Sequence, residues 1–402
     1  MPGSELFGQE ERKEVLDVLE TGILFRYNHD QQRKGIWKAR EFEAALAQFT
    51  NAKYAHAVSS GSTAVSTMMA ACGIGTGDEV IVPAFTYIAT VEAALFNGAL
   101  PVFAEIDDTL CLSPEGIRAA ITPKTKAVLL VHMCGAMAKI DQIVQICKEH
   151  NLVLLEDTAQ ALGASFKGQM LGTFGKMGSY SFDFFKIITA GEGGAVITND
   201  HQTYLNADMY ADHGHDHVGD NRGMEKHPAL GFNYRISELH AAVGLAQIRK
   251  IDGILERQRA NKKKLKEALA KFPEIKFRFL PDPQGDSATF LSFFLPDPTA
   301  CQMFVKACSE NAITGIQYWY INNYHYLRNW EHLREMKTLA KLPIEILGSR
   351  QDYRNIQLPQ TEALMQRLIS MVVKVTWTDQ ELNELISKLD GIFQNIFQKV
   401  ER

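Results

Sequence analysis

Short apolar runs alternate with amphipathic segments along the first half of the chain. The runs are rich in β-branched residues and are bounded by turn residues, which is typical of buried strands. The segments between them repeat with the period of helices that have one apolar face. The predicted strands are 54–58, 79–83, 101–106, 127–132, 152–157 and 195–198. The predicted helices are 9–20, 38–50, 114–121 and 140–150, with three more that end near Cys72, Asn97 and Tyr210.

Repeated alternation of strand and helix predicts a mostly parallel sheet that is covered on both faces, which is an α/β fold. Ligands of such sheets bind at the carboxyl ends of the strands. Ser60, Phe85 and Asp157 each come just after a predicted strand. We therefore expect these three residues to lie near one another.

The second half of the chain predicts a smaller α/β domain. It begins with a long helix that Ser237 caps and that continues toward Lys271. We expect a large domain over residues 1–255, whose N-terminal segment packs on the small domain, and a small domain over 256–402. The further predicted elements are strands 275–280, 289–295 and 370–375, helices 299–310 and 378–393, a helix near Thr361 and an aromatic loop over 318–326.

The composition changes this picture little. The chain has 402 residues, of which 46% are hydrophobic and 22% charged, and its net charge is −5. The mild acidity argues against nucleic-acid binding, and no apolar stretch is long enough for a transmembrane helix. The start of the chain does not resemble a signal peptide. The six cysteines are scattered, with no Cys-x-x-Cys pair, so we expect reduced thiols, a cytoplasmic protein and no membrane insertion.

The stretch from Leu152 to Asn199 carries the candidate chemistry. Its first apolar run ends at Asp157, and Lys186 stands among aromatic residues before the second run. A carboxylate that keeps a pyridine nitrogen protonated and an amine that bonds to an aldehyde together suit pyridoxal 5'-phosphate (PLP). Taken singly, such an Asp is usually a helix cap and such a Lys a solvated side chain.

A turn with the features of a phosphate-binding site precedes the stretch from Leu152 to Asn199. Ser60, Gly61, Ser62 and Thr63 lie between a strand and a helix, where backbone amides point outward and the helix dipole is positive. Ordinary capping of the helix by Ser or Thr is the alternative interpretation.

Two further segments have open interpretations. Arg26 and Tyr27 lie outside any core pattern, either in a surface loop or on the wall of a substrate pocket. His213, His215 and His217 approach the His-x-His-x-Asp-His spacing of zinc hydrolases but are one residue short of it. We expect a polar loop at the edge of the site and no metal, and a metal hydrolase is the distant alternative.

Five motifs then follow one another in order: Ser60-Gly61-Ser62-Thr63-Ala64, Glu156-Asp157-Thr158-Ala159-Gln160, Ser181-Phe182-x-x-x-Lys186, Gly191-Glu192-Gly193-Gly194 and Asn233-Tyr234-Arg235. This set resembles the DegT/DnrJ/EryC1/StrS family of PLP-dependent sugar aminotransferases, over nearly the whole chain. The resemblance implies fold type I, with a mostly parallel seven-stranded sheet in the large domain and a smaller C-terminal α/β domain. In overall likeness the chain is most similar to the branch that aminates C8 of 3-deoxy-manno-octulosonate (Kdo) for lipopolysaccharide.

The resemblance also implies roles for matching residues. Lys186 and Asp157 are implied to be catalytic: Lys186 bonds to the cofactor and then carries the proton, and Asp157 pairs with the pyridine nitrogen. The other implied cofactor contacts are Gln160 on the ring hydroxyl, Phe85 stacked on the ring, Ser62, Thr63 and Ser181 on the phosphate, and Asn233 on the phosphate of the neighbouring subunit. The residues that we expect to contact the substrate are Arg26, Tyr27, His213, Tyr318 and His325.

A lysine at position 186, rather than the histidine of some relatives, implies amino transfer instead of dehydration. L-glutamate is the implied amino donor, a keto or aldehyde sugar the acceptor, and a homodimer with shared sites the implied assembly. Burial among Phe182, Phe184 and Phe185 is expected to favour the neutral amine. Asp183 is an unusual acidic neighbour, and we expect it to point away from Lys186. An aminotransferase of nucleotide-linked 3- or 4-keto sugars and a PLP-binding regulator without turnover are the alternatives.

Overall fold

A seven-stranded sheet forms the centre of the first half of the chain. The computed structural model describes residues 2–219 and 221–400, so the first residue and the last two of the predicted domain ranges lie outside the described residues. The strands are β1 (Tyr54–Val58), β2 (Glu79–Pro83), β3 (Leu100–Ala104), β4 (Thr125–Val131), β5 (Val153–Asp157), β6 (Ser165–Phe166), β7 (Gln169–Met170), β8 (Met177–Ser181), β9 (Gly194–Thr198), β10 (Lys276–Phe277), β11 (Phe290–Phe294), β12 (Ile316–Tyr318) and β13 (Leu368–Val372).

Helices cover both faces of this sheet and continue into the second half. They are α1 (Pro2–Glu5), α2 (Gln9–Thr21), α3 (Lys38–Thr50), α4 (Gly61–Ala71), α5 (Ala89–Phe96), α6 (Pro114–Ala120), α7 (Ile140–Glu149), α8 (His201–Tyr210), α9 (Glu238–Ile248), α10 (Ile251–Leu269), α11 (Pro298–Glu310), α12 (Glu331–Arg334), α13 (Pro343–Leu347), α14 (Pro359–Met365) and α15 (Asp379–Val400). Most predicted elements are present, with ends that differ by up to three residues, except that the last helix continues from the predicted end at Phe393 to Val400.

The strand order is β1-β9-β8-β5-β4-β2-β3. Neighbouring strands are parallel from β8 to β3, whereas β9 is antiparallel to both β1 and β8. A parallel return needs a long crossover, usually through a helix. The segment from Phe182 to Gly193 has no such helix, so β9 returns antiparallel. The predicted α/β fold with a mostly parallel seven-stranded sheet is confirmed.

A four-stranded sheet of order β10-β11-β13-β12 forms in the second half. All of its strand pairs are antiparallel. The helices α10 and α11 pack against this sheet, and α15 packs against both of these helices. The segment after β12 then returns to the first sheet, where Leu327 and Trp330 are buried in the core that contains Val82 and Phe103. The domain division between residues 255 and 256 stays a prediction. The N-terminal Glu5 accepts hydrogen bonds from the backbone of Val375 and Thr376, in the second half of the chain.

The predicted long helix after Ser237 is broken. Ser237 caps α9 as expected, by accepting from the amide of His240 at 3.2 Å. However, α9 ends at Ile248 and α10 begins at Ile251. The apolar side of α9 packs against α2 and α3, whereas α10 packs against α15 and β11. One straight helix could not bury its apolar residues in both places, so the chain bends between them. Within the described residues, no helix has the length and apolar character to cross a membrane.

Candidate active site

A cavity of about 310 Å³ opens at the carboxyl ends of β4, β5 and β8. Both Asp157 and Lys186 line it, so the side chains on which the PLP interpretation depends face one space. This is where the topology of a parallel sheet places a ligand. The lining residues are Ser60, Gly61, Ser62, Val65, Thr86, Tyr87, Ala89, Thr90, Val131, Asp157, Ala159, Gln160, Ser181, Asp183, Phe184, Phe185, Lys186 and Glu192.

Asp157 is the last residue of β5, and its side chain is buried. Its Oδ2 atom accepts a hydrogen bond from the Thr90 hydroxyl at 2.8 Å, and Oδ1 accepts from the Ala159 amide at 3.1 Å. Burial raises the pKa of this carboxyl above its ordinary value, and these two hydrogen bonds and the charge of Lys186 oppose the rise. A cation near the carboxylate would therefore stabilise its ionised form further.

Lys186 lies in the segment that connects β8 to β9. The base of this segment is closed by hydrogen bonds from the Phe182 amide to the Gly193 carbonyl and from the Ala190 amide to the Phe182 carbonyl. The Lys186 side chain is only 15% exposed, and its Nζ atom lies 3.7 Å from Asp183 Oδ2.

Two predictions about the surroundings of Lys186 are wrong. Asp183 does not point away, because its Oδ1 atom accepts a hydrogen bond from the Phe185 amide at 2.6 Å, which holds the carboxylate over the turn. Phe184 and Phe185 line the same cavity as Lys186 but are themselves 56% and 70% exposed, so they do not form the buried apolar surroundings that were predicted for the amine. Only Phe182 is buried, in the core beside Phe42. A turn of a few residues cannot direct all three rings inward.

The turn at the start of α4 has features of both interpretations, a helix cap and a phosphate site. Ser60 caps the helix by accepting from the Thr63 amide, and the Thr63 hydroxyl accepts from the Ser60 amide. Thr63 is thus occupied by the cap and is not on the cavity wall, which departs from its predicted place on the phosphate. Ser62 and Ser181 do line the cavity, as predicted. A Cβ atom at Gly61 would lie 2.6 Å from Ser181 Cβ, so only glycine allows this close approach.

Of the two rings that follow β2, Tyr87 and not Phe85 lies on the cavity wall, which Phe184 and Phe185 also line. Phe85 is fully buried outside the cavity and packs edge-on against Trp319. Tyr87 lines the cavity, and the centroid of its ring lies 5.8 Å from Lys186 Nζ. Phe85 therefore belongs to the core, and Tyr87 is the ring of this segment that lies on the cavity wall near Lys186.

Gln160 also lines the cavity, as predicted. Its Oε1 atom accepts from the Cys134 amide at 3.0 Å, so its amide group remains as the donor. Sequence reasoning missed Thr86 and Thr90, which are buried and line the cavity, and Glu192, which lies on its exposed side. The spacing of the two threonines by four residues just after β2 was the available signal, because it places both on one side of a helical turn.

The expected substrate residues do not assemble at this cavity within one chain. Arg26 is buried and pairs with Glu43 at 2.7 Å, and the Tyr27 hydroxyl donates to Asp208 at 3.0 Å. Both line a different cavity and not that of Lys186 in the same chain, so their contact with the substrate stays a prediction. Burial among charged partners, which the sequence does not display, explains their position.

The remaining three are dispersed. Tyr318 is buried in β12 and donates its hydroxyl to the Gln366 carbonyl at 2.9 Å, away from the cavity. His213 is exposed, as is Asn233. Of the three, His325 lies near the cavity, since the centroid of its ring is 5.3 Å from that of the cavity residue Tyr87. Burial and then the charge of Lys186 lower the pKa of His325 to about 3, so its imidazole is neutral.

The histidine loop forms ion pairs. His217 lies between two carboxylates, with Nδ1 at 2.7 Å from Asp208 and Nε2 at 2.9 Å from Asp212. Burial opposes the charged ring, but these two partners raise the pKa of His217 to about 9. Asp212 also pairs with Arg222 and Arg235. Among the described residues, no group of three or more His, Cys, Asp or Glu side chains has a geometry that could hold a metal ion.

The residues on the cavity wall fit PLP. The amides at the start of α4, with Ser62 and Ser181, form an anion-binding cradle whose floor tolerates no side chain at Gly61. Asp157 supplies a buried carboxylate, Tyr87 a flat ring, Gln160 an amide donor and Lys186 a primary amine. These are the chemical groups that a phosphate, a protonated pyridine and an aldehyde require.

Comparison with known proteins agrees with this chemistry. Over 218 residues the chain is 41% identical to GDP-perosamine synthase from Caulobacter vibrioides, a match that covers 53% of this chain and 56% of that protein. Over 237 residues it is 38% identical to L-glutamine:2-deoxy-scyllo-inosose aminotransferase from Micromonospora echinospora, covering 57% and 56%. The chain thus spans somewhat over half the length of the curated relatives that it matches.

Solved structures resemble the whole chain. The aminotransferase from Psychrobacter cryohalolentis superposes with a TM-score of 0.83 at 27% identity, over 97% of this chain and 98% of that one. Other solved structures of this fold contain bound PLP or its amino form, PMP. The prediction of fold type I and PLP is confirmed. The model of the DegT/DnrJ/EryC1/StrS aminotransferase family matches residues 7–390. This chain therefore belongs to that family of PLP-dependent transferases.

Proposed function

We propose that this chain moves an amino group from L-glutamate to the C8 aldehyde of oxidised Kdo and so forms 8-amino-Kdo for lipopolysaccharide. The observation that carries the amino-transfer chemistry is the shared cavity of Asp157 and Lys186, next to the anion cradle at α4. The choice of sugar draws on overall likeness to that branch of the family and on the charge of the cavity wall.

When bound, PLP supplies an electron sink for the carbanion that forms at the amino-bearing carbon. Asp157 holds the proton on the pyridine nitrogen, because its buried carboxylate is acceptor-only when ionised. Lys186, the one primary amine among the described residues of the cavity wall, would remove and return the proton at that carbon. Tyr87 would pack on the ring, and Ser62, Ser181 and the α4 amides would hold the phosphate.

The charge of the wall supports an acceptor whose reacting end is uncharged. Asp183 and Glu192 line the cavity, and Lys186 is the only cationic side chain among the described lining residues. Carboxylates accept hydrogen bonds from sugar hydroxyls. In oxidised Kdo the reacting aldehyde is next to hydroxyl-bearing carbons and lies at the opposite end from the carboxylate.

An aminotransferase of nucleotide-linked 3- or 4-keto sugars is the second candidate. The likeness to GDP-perosamine synthase favours it, since that relative's name indicates a nucleotide-linked amino sugar as product. We also propose a cytoplasmic homodimer in which Asn233, exposed in one chain, completes the phosphate site of the other. Such an isologous pair would contain two equivalent sites.

The decisive experiment feeds the purified protein each acceptor in turn. Oxidised Kdo, a GDP-linked 4-keto sugar and a nucleotide-linked 3-keto sugar are each supplied with L-glutamate or L-glutamine, and the aminated product is identified by mass. Amination of oxidised Kdo supports the proposal, and amination of the nucleotide sugars alone refutes it in favour of the second candidate. A PLP absorbance without formation of 2-oxoglutarate from L-glutamate or 2-oxoglutaramate from L-glutamine with any acceptor indicates a regulator. Stoichiometric zinc without PLP absorbance indicates a metal hydrolase.

A further inference from the structure

The Asp157 carboxylate has one side-chain hydrogen-bond donor among the described residues, the hydroxyl of Thr90 at 2.8 Å. Thr90 lies in the first turn of α5 and is itself buried on the cavity wall. Its hydroxyl is also 2.8 Å from that of Thr86, which is fully buried. The three side chains thus form a short chain of hydrogen bonds, Thr86 to Thr90 to Asp157.

The chemistry of the three groups fixes the direction of this chain. An ionised carboxylate only accepts hydrogen bonds, so Thr90 donates its single proton to Asp157. Thr90 must then accept from Thr86. The alternative acceptor for Thr86, the Tyr87 carbonyl, is more distant at 3.3 Å. Both hydroxyls therefore point their protons toward the carboxylate, and each bond strengthens the next.

The local fold makes this arrangement possible. The segment after β2 places Tyr87 on the cavity wall and Thr90 against Asp157, which comes from a different strand end. A hydrogen bond also fixes the backbone of Thr86, because its amide donates to the His325 carbonyl at 3.0 Å. One short segment thus positions both the aromatic face of the site and its carboxylate.

We propose that Thr90 is a positioning residue for the cofactor: its hydroxyl orients Asp157 toward the pyridine nitrogen and keeps the carboxylate ionised. The inference rests on the proposed function only in that PLP binds at Asp157. Burial raises the pKa of Asp157, and the hydrogen bond from Thr90 is one of the interactions that opposes this rise. Without the hydroxyl, the carboxylate would lose both its fixed orientation and part of its stabilisation.

The test measures cofactor binding rather than turnover. Thr90→Val removes the hydroxyl at nearly constant shape, and Thr90→Ser keeps it. The dissociation constant of PLP from the apoprotein is measured by equilibrium dialysis, and the absorbance of the bound cofactor is followed against pH. We expect Thr90→Val to weaken PLP binding roughly tenfold to a hundredfold, as for the loss of a hydrogen bond to a charged group. Thr90→Ser is expected to stay within about threefold of the unchanged protein.

Asp157→Ala supplies the second half of the test. If Thr90 acts through Asp157, Thr90→Val has little further effect on PLP binding in the Asp157→Ala background. An equal loss of PLP affinity with Asp157 and with Ala at position 157 overturns the inference. It is also overturned if Thr90→Val binds PLP within twofold of the unchanged protein and the pH dependence of its spectrum is unchanged. A Thr90→Ser protein that binds as weakly as Thr90→Val also overturns it.

Thermal unfolding of the apoproteins checks that each variant folds. If Thr90→Val does not fold, Thr90→Ala takes its place against Thr90→Ser. If both fail to fold while Thr90→Ser folds, Thr90 serves packing and the inference is overturned. A normal protein that binds no PLP refutes the proposed function instead, so the two failures are distinguishable.

Discussion

The Lys186 ammonium lies 3.7 Å from the carboxylate of Asp183, three residues earlier in the chain. The same carboxylate accepts a hydrogen bond from the Phe185 amide and thereby shapes the turn that presents the lysine. Asp183 thus has two separable effects on the site: a hydrogen bond that an asparagine could retain, and a negative charge that it could not.

Lys186→Ala is expected to abolish covalent attachment of PLP and all amino transfer, because the chain then lacks the amine on this cavity wall. The side chain is not part of the core, so the variant should fold. Borohydride reduction followed by intact-mass measurement checks this: the normal protein should gain the mass of the reduced cofactor and the variant should not. Lys176→Ala, at a half-exposed lysine paired with Asp200, is the control and should behave normally. Turnover by Lys186→Ala would refute the assigned role.

Asp183→Asn should raise kcat/KM for oxidised Kdo about twofold. One charge in water contributes on the order of 1 kcal/mol at about 4 Å and about half of that at twice the distance, and the sugar carboxylate lies at the opposite end from the aldehyde that reacts beside Lys186. The methyl ester of the same sugar is the matched neutral acceptor and should gain much less. Asp183→Ala, which also removes the acceptor for the Phe185 amide, separates the charge from the shape of the turn. Equal losses with both acceptors in Asp183→Asn would mean that the charge is needed to place Lys186.

Tyr87 and Phe85 provide a paired test of which ring faces the cofactor. Tyr87→Ala should weaken PLP binding by roughly fivefold to tenfold, as expected for loss of one stacked ring, and Tyr87→Phe should bind normally. Phe85→Leu should leave PLP binding unchanged and lower the free energy of unfolding by about 1 kcal/mol, because Phe85 is a core residue. Equilibrium dialysis and denaturant unfolding measure the two quantities. Weaker binding in Phe85→Leu with normal binding in Tyr87→Ala would reverse the assignment.

Tyr87 and Phe85 show what could not be predicted from the sequence alone. The apolar run of β2 predicts a strand, and ligand-binding groups are expected just after its end. Which of two nearby rings enters the cavity depends on the backbone path beyond Pro83, where no periodic pattern continues. The pairing of Phe85 with Trp319 comes from residues far apart in sequence. Such contacts leave no local signal.

Ion pairs between residues that are far apart in sequence could not be predicted either, whereas most elements of the fold could. Helix caps such as Ser237 and the periodic spacing of apolar residues depend only on residues close in sequence. The element types and the parallel sheet were therefore predictable. The burial of Arg26 against Glu43 and the break before Ile251 depend on neighbours from elsewhere in the chain. Asp157 and Lys186 were predictable because each follows a strand end in a motif, and the fold brings strand ends together.

The stability of the protein should depend on pH through His217. Its pKa is raised to about 9, so the stabilisation that it provides as a cation is complete below about pH 6.5, its unfolded value, and is lost as pH rises through about 9. His217→Asn should therefore cost about 2 kcal/mol of unfolding free energy at pH 6, the scale of hydrogen bonds to charged groups, and much less above pH 9. Denaturant unfolding from pH 6 to 9.5 measures this. His150→Asn, at an exposed histidine, is the control. A difference that does not shrink with rising pH would show that His217 does not act as a cation.

Mixing two inactive variants tests whether the active sites are shared between subunits. Asn233 is exposed and does not line the cavity of its own chain, so Asn233→Ala should impair PLP retention only through the neighbouring subunit. In a hybrid dimer of Lys186→Ala and Asn233→Ala chains, one site then combines the intact Lys186 of one chain with the intact Asn233 of the other. Random reassociation should restore about a quarter of normal activity, because half of the dimers are hybrids and each has one complete site. Activity is measured at limiting PLP after the two proteins are unfolded and refolded together, with each variant refolded alone as the control. If Asn233 served its own chain, every site in the hybrid would remain defective and no activity would return.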